Sequence, residues 1–183
     1  MELFHRKNVQ HGTPEMKEQI FNRIIDLISI SSSDILLDIG SGDGFYSSKF
    51  TDRCAKVIAI DQHVDVTNNR WYDNPFIEVV AGDACDWIAH HQLDVINHLF
   101  FSNSFHDLPC QDEILKFIST KCPDGVSLHF IEFKLDTLFG PPKRLRFSKE
   151  DLKEKVAFYG FVEQAYLDLD THYFMSFRLN KNS

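Results

Sequence analysis

The segment from residue 36 to residue 44, LLDIGSGDG, places one carboxylate, Asp38, before three glycines at alternate positions, Gly40, Gly42 and Gly44. A structural turn rarely needs three glycines so close together. Because glycine has no side chain, the backbone of such a loop can lie directly against a ligand. A helix that starts after the loop would add unpaired N–H groups, which suit a carboxylate or a phosphate. The spacing therefore predicts a ligand-binding loop with an acid at its edge.

The positions of the glycines distinguish two classes of ligand. The fingerprint of dinucleotide-binding proteins is GxGxxG, and counted from Gly40 its third glycine would stand at position 45. Position 45 is Phe45, and the pattern is DxGxGxG instead. The pyrophosphate of a dinucleotide is therefore disfavoured as the ligand.

Strands and helices are predicted to alternate around this loop. Short apolar runs bounded by turn residues predict buried strands, and apolar residues at helical spacing predict helices. The predicted strands cover 35–39, 56–60, 76–80, 94–101, 126–133, 161–168 and 171–179, and the predicted helices cover 13–28, 45–54, 84–91, 111–121 and 149–159. This alternation is typical of the α/β class, with a mainly parallel sheet and helices on both faces. Ligands of such sheets bind beyond the carboxyl ends of the strands, where the glycine loop falls.

The composition limits the kind of partner. The chain has 183 residues, of which 43% are hydrophobic and 25% are charged, as is usual for globular domains. Its formal net charge of −8 disfavours a polyanion, so we expect no nucleic acid partner. The short basic run around Lys143 and Arg144 is interpreted as a solvated segment.

The cysteines and apolar runs suggest an intracellular protein. Cys54, Cys85, Cys110 and Cys122 include no CxxC pair, which signals neither a zinc site nor a disulfide framework. No apolar run approaches the ~18 residues needed to span a bilayer, and the first residues lack an apolar targeting core. We expect reduced thiols, a cytoplasmic location, no membrane insertion and, because the histidines are dispersed, no metal site.

Together with Asp38, the glycine motif resembles the first signature of class I S-adenosylmethionine-dependent methyltransferases. In that family an acid at the end of the second strand, here Asp61, holds the ribose hydroxyls. An acid after the third strand, here Asp83, accepts from the adenine amino group, although Asp83 could instead cap the following helix. The resemblance implies S-adenosyl-L-methionine as the cofactor. The residues then expected to bind it are Asp38, Gly40, Ser41, Gly42, Gly44, Asp61, Gln62, Asp83, Ala84, Phe101 and Ser102.

Later motifs extend the resemblance to residues 30–179. The turn at 102–107 looks like the F-H-[ED]-L form of a small-molecule branch (type 11) related to ubiquinone and menaquinone biosynthesis methyltransferases. The turn KCPDG at 121–125 is similar to the family's K-P-G-G turn, and the segment at 140–152 resembles that branch's penultimate segment. The resemblance implies a Rossmann-like, doubly wound sheet of seven strands in the order 3-2-1-4-5-7-6, with the last strand antiparallel.

We expect a single methyltransferase domain over residues 1–183. Its predicted parts are an N-terminal helical segment (1–29), a cofactor-binding core (30–133), a flap (134–147) and a C-terminal helix with a strand pair (148–183). The acceptor would enter between residues 4–11 and the flap, and the small size of the flap favours a small-molecule acceptor. No oligomeric state is predicted.

Two residues are candidates for a catalytic base. Methyl transfer is a direct displacement in which alignment is the main contribution, and a base is needed only if the acceptor arrives protonated. His106 could serve because imidazole titrates near neutral pH, or it could cap the following helix. Glu132, near the end of the fifth strand, is the alternative base.

Two other functions share these sequence features. A protein that binds the same nucleoside without catalysis, as a sensor or as a subunit of a complex, would have the same cofactor residues. An NAD-dependent oxidoreductase is less consistent with the sequence because of Phe45. An acid or a histidine on the acceptor side favours catalysis over simple binding.

Overall fold

The computed structural model describes residues 12–64 and 73–182. The strands are β1 (Ile35–Ile39), β2 (Lys56–Asp61), β3 (Ile77–Ala81), β4 (His98–Ser102), β5 (Ser127–Phe133), β6 (Phe161–Asp168) and β7 (His172–Leu179). The helices are α1 (Pro14–Ile24), α2 (Phe45–Phe50), α3 (Ala84–His90), α4 (Gln111–Lys121) and α5 (Lys149–Ala157), and short 3-10 turns lie at Ile25–Leu27, Phe105–Asp107 and Lys143–Leu145. None of the helices in these two ranges is both long enough and apolar enough to cross a lipid bilayer.

The strands of the described residues form one seven-stranded sheet in the order β3-β2-β1-β4-β5-β7-β6. Strands β1 to β5 pair in parallel, whereas β7 is antiparallel to both β5 and β6. The predicted fold class, the strand order and the antiparallel last strand are confirmed. This topology brings the carboxyl ends of β1, β2, β4 and β5 to one edge of the sheet, which we call the carboxyl edge.

Both faces of the sheet are covered, which explains the continuous apolar runs in the sequence. Leu37 and Ile39 lie in a core layer with side chains of α3, α4 and α5. Leu36 lies in a second layer with side chains of α1 and α2. Since fully burying a large aliphatic side chain contributes about 1.5–3 kcal/mol, these two layers hold the strand ends in place.

The fourth strand begins later than predicted, at His98 rather than at position 94. Ile96 is buried and falls within the predicted strand, but its backbone N–H donates to the Leu93 carbonyl and makes a turn there. The side-chain oxygen of Asn97 then accepts from the Ile35 N–H at 2.9 Å. An amide side chain therefore occupies the position before β4.

A buried polar chain links Asp34, His98, His129 and Ser176 across the sheet. His98 Nε2 lies 3.1 Å from Asp34 Oδ2, and His98 Nδ1 lies 3.0 Å from His129 Nε2. His129 Nδ1 lies 3.0 Å from the Ser176 hydroxyl, which is itself 3% exposed. Burial lowers the pKa of both histidines, so the rings are neutral and satisfy each other. The buried serine is not accessible to a substrate, so this series of hydrogen bonds has a structural role.

A disulfide joins Cys85 to Cys110 and corrects the expectation of reduced thiols. Cys54 and Cys122 are free and buried. The bonded pair is 25 residues apart in the chain, and its Cα atoms lie 6.0 Å apart because α3 packs beside α4. The spacing of the cysteines gives no sign of this tertiary contact.

We expect reduction of the Cys85–Cys110 bond to lower the free energy of unfolding. Closing a loop of this length removes about 3–4 kcal/mol of chain entropy from the unfolded ensemble. Urea unfolding with and without a reductant measures the effect. Cys85→Ser should abolish the response to reductant, and the matched Cys54→Ser should keep it. Equal stability of the oxidised and reduced wild-type protein would contradict the prediction.

Candidate cofactor and acceptor site

The three glycines of the loop after β1 all adopt left-handed backbone angles. Their φ values are 73° at Gly40, 57° at Gly42 and 75° at Gly44, where L-residues are strained. A Cβ atom on Gly40 would lie 2.4 Å from Ser104 Cβ, so that position is closed by the turn after β4. A Cβ atom on Gly42 would meet no atom within 4 Å. Gly40 is therefore required by packing, whereas Gly42 borders open space.

Backbone hydrogen bonds hold the loop against β2. The N–H groups of Gly40 and Ser41 donate to the Ile60 carbonyl at 2.8 Å and 3.0 Å. Asp61, the last residue of β2, accepts from the Gly42 N–H through Oδ2 at 2.9 Å and from the His63 N–H through Oδ1 at 2.8 Å. Asp61 thus lies beside the loop, as predicted from its place in the sequence.

Asp38 is a buried acid under the loop. It is 1% exposed, and its Oδ2 accepts from the Ser47 hydroxyl at 2.5 Å. Burial raises the pKa of Asp38 to about 7, and the charges of Asp61 and Asp43 act in the same direction. A nearby cation would favour the ionised form of this carboxyl group. Ser47 carried no signal in the sequence as the partner of Asp38.

Asp83 caps helix α3. Its Oδ1 accepts from the N–H groups of Cys85 at 2.7 Å and Asp86 at 3.1 Å. Its Oδ2 accepts from Gln62 Nε2 at 2.6 Å, which joins the turns after β2 and β3. The capping role that the sequence left open is therefore present, while the adenine role stays a prediction. Ala84, the first residue of α3, is buried.

The last two predicted cofactor residues end β4. Phe101 is fully buried and stacks on Phe130 with 4.9 Å between ring centroids. Its ring belongs to the core, so only its backbone is available to a ligand. Ser102 is half-buried at the carboxyl edge.

Helix α1 is tied to the glycine loop by an ion pair. Lys17 Nζ lies 2.8 Å from Asp43 Oδ2, with the lysine side chain 12% exposed. Sequence reasoning missed this contact because the two residues are distant in the chain. Residues 4–11, predicted to border the acceptor, lie outside the described residues.

His106 and Glu132 form a buried pair at the carboxyl edge. His106 Nδ1 lies 2.6 Å from Glu132 Oε2, and the His106 backbone N–H donates to Oε1 at 3.3 Å. Their side chains are 3% and 1% exposed. Burial alone would lower the pKa of His106, but the hydrogen bond and charge of Glu132 outweigh it and raise the pKa above its ordinary value. The two candidate bases are therefore engaged with each other.

We expect Glu132→Gln to bring the pKa of His106 below its ordinary value, because burial then acts without the carboxylate. The pH titration of the His106 ring protons by NMR measures this change. Asp107 Oδ2 lies 3.5 Å from His106 Nε2, but its side chain is 66% exposed. Asp107→Asn should therefore have a smaller effect. An unchanged His106 titration in Glu132→Gln would refute this explanation of the pKa.

Arg146 holds the flap of residues 134–147 in a compact turn. Its guanidinium donates at distances between 2.7 Å and 2.9 Å to the carbonyl oxygens of Lys134, Thr137, Phe139 and Pro141. Gly140 adopts a φ of 103°, and a Cβ there would lie 2.8 Å from the Phe133 ring. The flap thus lies over the end of β5, next to the His106–Glu132 pair.

Comparisons with known proteins agree on the fold. No family model matches the chain. A probable ribosomal RNA small subunit methyltransferase A of Methanosarcina acetivorans is 27% identical over 155 residues, which are 80% of this chain and 55% of that protein. A probable cobalt-precorrin-6B C(15)-methyltransferase (decarboxylating) of Methanococcus maripaludis is 34% identical over 90 residues, 46% of this chain and 50% of that protein. The chain spans about half the length of these two relatives.

Solved structures match nearly the whole chain. An S-adenosylmethionine-dependent methyltransferase of Aquifex aeolicus has a TM-score of 0.72 at 18% identity, covering 94% of this chain and 92% of its own. The N-methyltransferase NodS of Bradyrhizobium japonicum, in complex with S-adenosylhomocysteine, has a TM-score of 0.71 at 13% identity. The match covers 90% of this chain and 87% of the NodS chain. The resemblance found in the sequence is confirmed in the strand order and in these matches: the chain has the Rossmann-like fold of the S-adenosylmethionine-dependent methyltransferases.

Proposed function

We propose that this chain is an S-adenosylmethionine-dependent methyltransferase that acts on a small-molecule acceptor. The observation that carries the proposal is the buried acid Asp38 beneath a loop whose middle glycine, Gly42, borders open space. A structural neighbour that holds S-adenosylhomocysteine supports the choice of cofactor. The relatives described above are also methyltransferases by name.

The charges around the loop fit this cofactor. Asp38, Asp43 and Asp61 bring three carboxylates to the loop, which suits a ligand with a cationic amino group and ribose hydroxyls. The doubly charged pyrophosphate of NAD would meet these carboxylates as like charges. The negative charge around the loop therefore favours the sulfonium nucleoside over the dinucleotide as the ligand.

The residues of the chain would act mainly by positioning. When bound, S-adenosylmethionine supplies a methyl group on a positively charged sulfur that leaves as a neutral thioether. Asp38 would face the amino end of the cofactor and Asp61 the ribose, with Asp83 and Gln62 at the adenine end. Holding two reactants in line supplies about 7–11 kcal/mol in well-oriented systems, so no covalent step by the protein is needed.

A small acceptor is favoured by the flap. The segment is short, and Arg146 fixes it with four hydrogen bonds over the end of β5. A cover of this size suits an acceptor much smaller than a folded protein, and closing it over the acceptor would exclude water.

A nucleic acid acceptor is the second candidate. The match to a ribosomal RNA methyltransferase favours it, and Lys143 and Arg144 are exposed on the flap. The net charge of −8 opposes it. Binding of a short RNA that weakens steeply with added salt would favour this candidate over the small molecule.

Formation of S-adenosylhomocysteine from the methyl donor, followed by mass spectrometry, tests the proposal. We expect one or more pools of small molecules to yield product, and Asp61→Ala to lose it together with cofactor affinity. Binding of the donor without product from any pool or from RNA would favour the non-catalytic alternative.

A further inference from the structure

The ring of His172 has a buried nitrogen that no described residue pairs with. His172 is the first residue of β7 and is 3% exposed. Its Nδ1 lies 2.8 Å from the Thr171 hydroxyl, whereas its Nε2 has no partner. Nearly all buried polar groups are hydrogen-bonded, so an unpaired ring nitrogen at a candidate site is a natural contact for a ligand.

The sheet places this nitrogen on the acceptor side of the site. In the β5–β7 pairing, His172 lies opposite Phe133, with 4.2 Å between ring centroids, so these two side chains share one face of the sheet. Glu132 pairs with Tyr173 and faces the other side of the sheet. The Thr137 hydroxyl of the flap donates to the Thr171 carbonyl at 2.8 Å. His172 therefore lies beneath the flap at the carboxyl edge, on the same face of the sheet as Phe133.

The positively charged groups that act on His172 already have partners. His106 is paired with Glu132, and Lys134 forms an ion pair with Asp168. The guanidinium of Arg146 is used by four carbonyl groups of the flap. The three positively charged groups that act on His172 are thus each engaged by another group of the protein, which favours an uncharged acceptor.

The ring of His172 is neutral and weakly basic. Burial lowers its pKa to about 4, and the positive charges of Arg146, His106 and Lys134 act in the same direction. A hydroxyl oxygen that gains a methyl group becomes an oxonium, which is far more acidic than an imidazolium. A methylated alkylamine is far less acidic and would keep its proton. A weak base here therefore matches a hydroxyl acceptor better than an alkylamine.

We propose that His172 Nε2 takes the proton of an uncharged, hydroxyl-bearing acceptor bound beneath the flap. The hydroxyl oxygen forms the new bond to the methyl carbon, and the carbon–sulfur bond breaks with its electron pair going to sulfur. The hydroxyl proton moves to Nε2, while the Nδ1–H of the same ring donates to the Thr171 hydroxyl oxygen. The inference rests on the proposed function and adds to it the acceptor class and the base.

NMR with small probes tests the binding part of the inference. The protein is labelled with ¹⁵N-histidine, and phenol and toluene serve as a matched pair that differs in the hydroxyl group. We expect phenol to shift the His172 Nε2 resonance saturably and toluene to leave it unchanged. No response to phenol, or equal responses to both probes, would overturn the inference. S-adenosylhomocysteine affinity, measured on the same sample, reports separately on the proposed function.

Kinetics with the acceptor found in the product screen test the catalytic part. His172→Phe should lower kcat by about 10²–10⁴-fold, the usual contribution of a general base, with unchanged S-adenosylhomocysteine affinity. His172→Gln keeps a hydrogen-bonding group, so its KM should stay near that of the wild type while kcat falls. A wild-type kcat in either variant would exclude His172 as the base. Unfolding free energies of the variants show whether any loss arises from the fold instead.

Discussion

Replacing Gly42 with alanine is expected to weaken S-adenosylhomocysteine binding while the protein stays folded. The added Cβ meets no protein atom within 4 Å, so it occupies only the open space beside the loop. If the ligand lies there, the overlap costs about 1–3 kcal/mol, which is about 5- to 150-fold in affinity. Calorimetric titration and urea unfolding of the same variant measure the two effects.

Gly160 provides the matched control because it is equally strained and distant from the site. Its φ is 86°, and a Cβ there would lie no closer than 3.6 Å to another atom. Gly160→Ala should therefore lose stability to a similar extent, about 1–2 kcal/mol for a left-handed L-residue, with unchanged ligand affinity. Equal affinities in the two variants would show that the ligand does not approach Gly42.

Replacing Asp38 with asparagine is expected to lower S-adenosylhomocysteine affinity at pH 8 by about 10- to 100-fold, the effect of removing a charged hydrogen-bond partner. In the wild type, the free protein carries a protonated Asp38 below about pH 7, whereas the positively charged amino group of the ligand favours the ionised form. Affinity should therefore fall by about tenfold per pH unit below that value. Titrations between pH 5.5 and 8.5 measure this dependence, which Asp38→Asn should abolish.

The same substitution should have the opposite effect on stability. The pKa of Asp38 is raised in the folded state from 3.8 to about 7, so the folded protein loses stability as the pH rises through this window. Asp38→Asn removes that cost, and its unfolding free energy should exceed that of the wild type at pH 8 but not at pH 4. A variant that is less stable than the wild type at pH 8 would contradict the view that the buried charge of Asp38 destabilises the folded protein.

The strands that position the cofactor site could be predicted because their signal is local. The apolar run of β1 and the acids at its end and at the end of β2 fix which residues meet at the carboxyl edge, since parallel strands share that edge. The predicted start of the fourth strand was wrong because buried apolar residues occur both in strands and in turns that pack against the core. Ile96 is buried like a strand residue, yet it belongs to the turn that precedes β4.

Contacts between distant segments could not be predicted from the sequence. The partner of Cys85 depends on how α3 packs beside α4, and the unpaired nitrogen of His172 depends on β7 returning beside β5. Likewise, the hydrogen bonds of Arg146 arise from the path of the flap and not from any motif. The acceptor side of the site is built mainly from such contacts, whereas the cofactor side is built from strand ends.

Calorimetric titration of the wild-type protein at pH 8 with S-adenosylhomocysteine and, separately, with NAD tests the central claim most directly. The structure of the glycine loop and its carboxylates predicts saturable binding of S-adenosylhomocysteine and none of NAD. Binding of NAD without binding of S-adenosylhomocysteine would contradict the proposed cofactor and, with it, the proposed reaction.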